Sequence, residues 1–164
     1  MFLSVSVVMF ATVLMQEAAR INRLIDQLGS QVYSEREAAS RALKRLGEPA
    51  LELLQKASQE SPDAEIRRRA ERLVAIIEPP VIEARARAIR ESQLTSEEKG
   101  RRLMPLVKEG MTHDEVFRIL GSAIAEFHGV EYYQEYGFAV SYGQHRGVES
   151  VFPLPWRPRT FPGP

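Results

Sequence analysis

The amino-acid sequence predicts an α+β protein: a short antiparallel stack of helical hairpins, then a small domain of two helices and an antiparallel sheet. Three observations predict it. From Ser34 to Ile77, apolar residues recur every three or four positions, the period of helices with one buried face. From Ala123 to Phe152 the period falls to two, and Gly129, Gly137, Gly143 and Gly147 separate the apolar runs. Finally, REAASRALKRLGEPA from Arg36 lines up with RRRAERLVAIIEPPV from Arg67, an offset of 31 residues. Self-similarity at that spacing is a mark of helical repeats.

The chain divides into four expected parts. Residues 1–19 form an apolar leader, 20–92 the helical repeats, 95–152 the helix-and-sheet domain and 153–164 a proline-rich tail. The first fifteen residues carry no charge. That run is short for a stable membrane span of about 20 residues, and it matches the apolar core of a secretory leader. A cut after Ala18 or Ala19 would place the protein in the periplasm or outside the cell. The alternative is a buried N-terminal helix of a cytoplasmic protein.

A first helix is expected from Ala18 to Leu28, with Ile21, Leu24, Ile25 and Leu28 facing inward and Gly29 closing it. In the next, Ser34 and Glu37 have the spacing of a capping box, and Ala38, Ala39, Ala42, Leu43 and Leu46 share a face. Gly47 ends it, and Pro49 suits the first turn of a third helix with Ala50, Leu53, Leu54 and Ala57 inward. Ile66, Ala70, Leu73, Val74 and Ile77 make the buried face of a fourth, which Pro79-Pro80 should break. Val81 to Ser92 then forms a separate helix through Ile82, Ala86 and Ile89.

Thr95 with Glu98 opens another helix, which Pro105 should end. Thr112 with Glu115 opens the last, buried through Val116, Ile119 and Leu120 and stopped by Gly121. Strands are expected at Ala123–Phe127, Val130–Gln134, Phe138–Tyr142 and Val148–Phe152. The final twelve residues hold five prolines and predict an extended tail, on which Trp156 and Phe161 could fold back to the sheet.

Two stretches resemble known families. LIDQLGSQVYSEREAASRALKRLGEPALELLQKA with SPDAEIRRRAERLVAII, about residues 20–78, resembles HEAT-type repeats. That resemblance implies a right-handed helical stack used for protein contacts. Gly110, Met111, Thr112, Glu115, Val116, Leu120 and Gly121, within about residues 96–152, resemble the SmpA/OmlA family of outer-membrane assembly lipoproteins. It implies two helices on a three-stranded antiparallel sheet, and a tendency to bind. The chain lacks that family's lipidated cysteine and its proline after Leu-Gly, where Ser122-Ala123 stands instead. Membership of the assembly machine is therefore not implied.

Composition narrows the chemistry. The 164 residues hold 22 basic and 22 acidic side chains, so bulk charge does not draw nucleic acid. There is no cysteine, which excludes disulfides, thiol nucleophiles and Cys-type zinc sites. Arg67, Arg68, Arg69 and Arg72 alternate with Glu65 and Glu71, a pattern of a salt-bridged helix surface. No phosphate loop, nucleophile elbow or zinc helix motif is present. His113 sits beside Asp114 and Glu115 in a first helical turn, where capping explains the acids. His128 and His145 fall near turns, with no third ligand indicated for a metal.

The expectation is a non-enzymatic adaptor with a protein partner, no cofactor, no metal, no nucleic acid and no stable membrane span. Its contacts would come from Arg68 and Arg72 on the stack and from Tyr133, Tyr136 and Tyr142 on an aromatic sheet face. On that reading Tyr132 and Phe138 face the helices and Tyr133 faces water; the alternative is that all of these aromatics are core or cross-strand pairs. An inhibitor-type or envelope-assembly domain using that face is the second expectation. A small metal-dependent hydrolase built on the histidines is the third.

Overall fold

The computed structural model describes the backbone of residues 3–143 and 147–154, with side chains from Met15 onward. The tail with Trp156 and Phe161, and His145, lie outside the described residues. The fold is α+β: six α-helices, then a four-stranded antiparallel sheet. Contacts divide it into two compact units, Met1–Val81 and Ile82–Pro164.

In the first unit, α1 (Leu3–Gln27), α2 (Tyr33–Leu46) and α3 (Glu48–Glu60) pack with the first part of α4 (Ala64–Glu91). Their core holds Ile21, Leu28, Leu43 and Leu54, along with Ala39, Ala50 and Ala70. These sit at the helical spacing that the sequence predicts, although Ala38 lies exposed beside that face. Among the described residues, no helix is long and apolar enough to cross a membrane.

The repeat has a structural counterpart. Arg36 donates from Nη1 to the carbonyl of Ser30 at 2.6 Å, and Arg67 donates from Nη1 to the carbonyl of Ser61 at 2.7 Å. Each arginine sits in the opening turns of its helix and reaches back six residues to fasten the preceding turn. Ala39 and Ala70, three positions further along, are both buried.

Three local expectations are corrected. Ser34 and Glu37 form no capping box, because α2 begins two residues earlier than such a box requires, at Tyr33 with Val32 as N-cap. Ser30 takes over the turn, accepting from the Val32 N–H at 3.1 Å and donating to Glu35. Glu37 instead binds Arg69 at 2.9 Å, and Arg69 also meets Glu65 at 2.6 Å.

Second, the first helix does not begin at Ala18, since α1 runs from Leu3 to Gln27. Third, Pro79 and Pro80 lie inside α4 and do not end it. The two missing N–H groups release the carbonyls four residues back, on Ala75 and Ile76. Both residues are exposed, so water can satisfy what the prolines cannot.

The second unit follows the sequence more closely. It contains α5 (Ser96–Leu103), a 3-10 turn at Met104–Leu106 formed around Pro105, and α6 (His113–Leu120). Thr95 with Glu98 and Thr112 with Glu115 both close full capping boxes. Thr112→Ala is expected to lower stability by about 1 kcal/mol in thermal unfolding. Bonds from the Thr112 N–H and hydroxyl hold the Glu115 carboxyl below its ordinary value of 4.5. A depressed carboxyl adds stability above its unfolded pKa and loses it as pH falls through the folded one. The deficit of Thr112→Ala should therefore shrink in acid.

The sheet is a meander, β1 (Ala125–Phe127), β2 (Val130–Tyr133), β3 (Phe138–Tyr142) and β4 (Val148–Pro153), in that spatial order. It has one strand more than the SmpA/OmlA resemblance implies. His128 and Gly129 link β1 to β2 with φ of 50° and 75°, a two-residue hairpin turn with both residues left-handed. Asparagine before glycine suits that turn better than histidine does. His128→Asn should raise stability by about 0.5 kcal/mol in a denaturant titration.

Candidate functional site

β3 is one of the two inner strands, and Phe138, Ala139 and Val140 are buried along it. Tyr133 pairs with Phe138 and Glu131 with Val140, so the two β2 side chains share a face with this core. The expected orientation of β2 is reversed. Tyr133 is only 1% exposed and points inward, and Tyr132 is the partly exposed one. The alternation had been read one residue out of phase, which flips every side chain of a strand. Glu131 follows Tyr133 to the inside and is 7% exposed, the one buried charged residue among the described residues.

A buried carboxylate needs partners. Tyr133 and Tyr142 each donate a hydroxyl hydrogen bond to Glu131 Oε2, both at 2.8 Å. His113 Nε2 lies 2.7 Å from Oε1. A carboxylate oxygen can only accept, so Nε2 carries a hydrogen, and Nδ1 stands 3.8 Å from Asp114 Oδ1. Burial, and then the bond to Glu131, push both phenols above the ordinary value near 10, so they remain protonated donors.

The chain brings His113 here by tying the start of α6 to β4. Gly110 N–H donates to the Val148 carbonyl at 2.8 Å, and Val148 N–H donates to the Met111 carbonyl at 2.7 Å. Thr112 then bridges Gly147. The imidazole lies 5.7 Å from the Tyr142 ring and stays 56% exposed. It borders an open depression of about 680 Å³ lined by Thr112, His113, Asp114, Glu126 and Tyr142 and by the backbone of glycines 129 and 143.

The residues expected to bind are thus dispersed. Tyr142 lines the depression. Tyr133 lies beneath it and cannot touch a partner directly. Tyr136 sits half-buried in the β2–β3 turn, stacked on Phe138 at 6.3 Å, and burial raises its phenol as well. Arg68 and Arg72 are exposed on α4 in the first unit, with Arg68 3.7 Å from Glu65. His128 packs its ring against Phe127 at 4.0 Å.

Among the described residues, no three His, Asp or Glu side chains converge as a metal site would require. Sequence reasoning missed Glu131 as a site residue, and it gave His113 a place in a capped turn and, in the third expectation, among the histidines of a small hydrolase. Compared with protein-family models, with curated proteins and with solved structures, the chain finds no match in any of the three.

Proposed function

We propose that the chain is a non-enzymatic interaction adaptor of the bacterial cell envelope, in which a HEAT-like helical stack carries a small binding domain. The working surface of that domain is the depression beside Glu131, in place of an exposed aromatic face. The observation that supports this is the fixed hydrogen bonding of its polar wall. His113 and Tyr142 are both held by one buried carboxylate, and the Thr112 hydroxyl is spent on Glu115. Such a surface loses little freedom when a partner docks, and among the described residues no side-chain nucleophile is left free in it. The uncharged run at the N-terminus supports export.

The test is retention of a specific protein from envelope fractions by the full chain, compared with His113→Ala and Asp114→Arg. The partner should be kept by the wild type and lost by both variants, while their unfolding stays cooperative. Equal retention by all three, or none by the wild type, would refute the reading.

One observation favours catalysis instead. An imidazole held by a buried carboxylate is the arrangement of a general base. Hydrolysis of p-nitrophenyl acetate by the wild type that disappears in His113→Gln would replace the adaptor with a small hydrolase.

A further inference from the structure

We infer that residues 3–15, the first half of α1, stay on the mature protein and embed in one side of a lipid bilayer, holding the helical stack at a membrane surface. This is independent of what the depression binds. Helix continuity, exposure and the lack of a polar stripe carry it.

Continuity comes first. α1 runs unbroken from Leu3 to Gln27. Its described core residues, Ile21, Leu24 and Ile25, all fall near its end. A cut after Ala18 or Ala19 would fall inside this helix and leave about two turns of it. A helix that short has little stability of its own, yet it would have to seat Ile21 and Ile25. The fold therefore favours an uncut chain.

Exposure comes second. Met15, Gln16, Glu17, Ala19 and Arg20 are exposed, Met15 at 75%. Followed towards its start, α1 has left the packing of the stack before the apolar run begins. Its length agrees: α1 has 25 residues, whereas α2 and α3, on which it packs, have 14 and 13. That is about 37 Å of helix beside partners of about 20 Å.

The missing polar stripe comes third. Residues 1–16 carry no charge, and Ser4, Ser6 and Thr12 fall at three separate positions around the helical wheel. A groove on a partner protein covers one stripe of a helix. A helix apolar all round needs apolar surroundings on every side, and a bilayer supplies them. Helical hydrogen bonding already pairs the backbone within the run, as lipid requires. As a helix the uncharged stretch is about 24 Å long, short of a hydrocarbon core of about 30 Å. It enters the bilayer without crossing it, and Glu17 and Arg20 stand at the water edge.

The test is flotation of the full chain with phosphatidylcholine vesicles on a density gradient. The wild type should rise with the vesicles and remain with them in high salt, because the attraction is apolar and not ionic. Val8→Lys should lower the vesicle partition coefficient at least about tenfold. Ala19→Lys, at an exposed position beyond the run, should float as the wild type does. Both variants should keep the wild-type unfolding midpoint, since the described core of α1 starts at Ile21.

A wild type that stays in the dense fraction would overturn the inference, whether as a monomer or as a soluble oligomer with the run buried between copies. So would equal flotation of Val8→Lys, or a Val8→Lys chain that unfolds, which would assign the run to a core. Intact mass showing a start at Ala19 or Arg20, in cells making the full chain, would mark a cleaved leader instead. Failure here leaves the adaptor standing, and loss of the envelope partner leaves the lipid contact standing.

Discussion

Replacing Gly100 by alanine is expected to cost about 3 kcal/mol or more, read as a large fall in the urea midpoint. Gly100 is buried on α5, against the backbone of the β2–β3 turn. An added methyl would overlap the Tyr136 carbonyl. Backbone cannot rotate away as a side chain can, so α5 or the turn must shift and open the packing around Leu103, Tyr133 and Phe138. Gly143→Ala is the control. A methyl there meets nothing nearer than Glu149 Cβ at 3.8 Å and should change stability by no more than about 0.5 kcal/mol. Equal midpoints for the two variants would show that the close approach is not real.

The second large effect is at Glu131. Glu131→Ala should cost about 3 kcal/mol, because it strands the hydroxyl of buried Tyr133 and removes the acceptor of Tyr142 and His113. Combining Glu131→Leu with Tyr133→Phe and Tyr142→Phe should recover most of that loss, since the polar group then left is the His113 imidazole, which is 56% exposed and can turn to water.

The same cluster makes an alkaline prediction. The phenol pKa values of Tyr133 and Tyr142 are raised in the fold. A raised pKa means that the folded chain keeps its protons after the unfolded chain has begun to lose them. The contribution is complete below the unfolded value near 10 and is lost as pH climbs above it. Wild type should therefore lose stability above about pH 10 more steeply than the apolar triple variant. Parallel curves would show that the phenols are not held as described.

Much of the fold was legible because it rests on local chemistry. Thr95 with Glu98, Thr112 with Glu115, and the glycines at 47 and 121 mark helix ends through their own backbone groups, and the structure places those ends where the sequence does. What failed depended on neighbours out of sight. Pro79-Pro80 breaks a helix unless the freed carbonyls reach water, and only the fold reveals that Ala75 and Ile76 are exposed.

The site was illegible for a related reason. Val130 to Tyr133 can be read in either phase, and the choice of phase decides whether Glu131 is a solvent charge or a buried one. A signal did exist. Setting Tyr133 inward forces Glu131 inward too, and an inward glutamate calls for donors such as a tyrosine or a histidine. His113 is eighteen residues away, and no periodicity connects it to β2.

The plain succession of the sheet, each strand beside the one before it, bears on how the chain reaches this structure. Pairings between sequence neighbours close short loops, and short loops form quickly. On the ribosome, β1 and β2 can zip as a hairpin while later residues are still being added. β3 and then β4 can follow without waiting for any distant segment. Assembly in the order of synthesis leaves the inner borders of β2 and β3 uncovered only briefly, so that β1 and β4 alone remain as edges of the finished sheet.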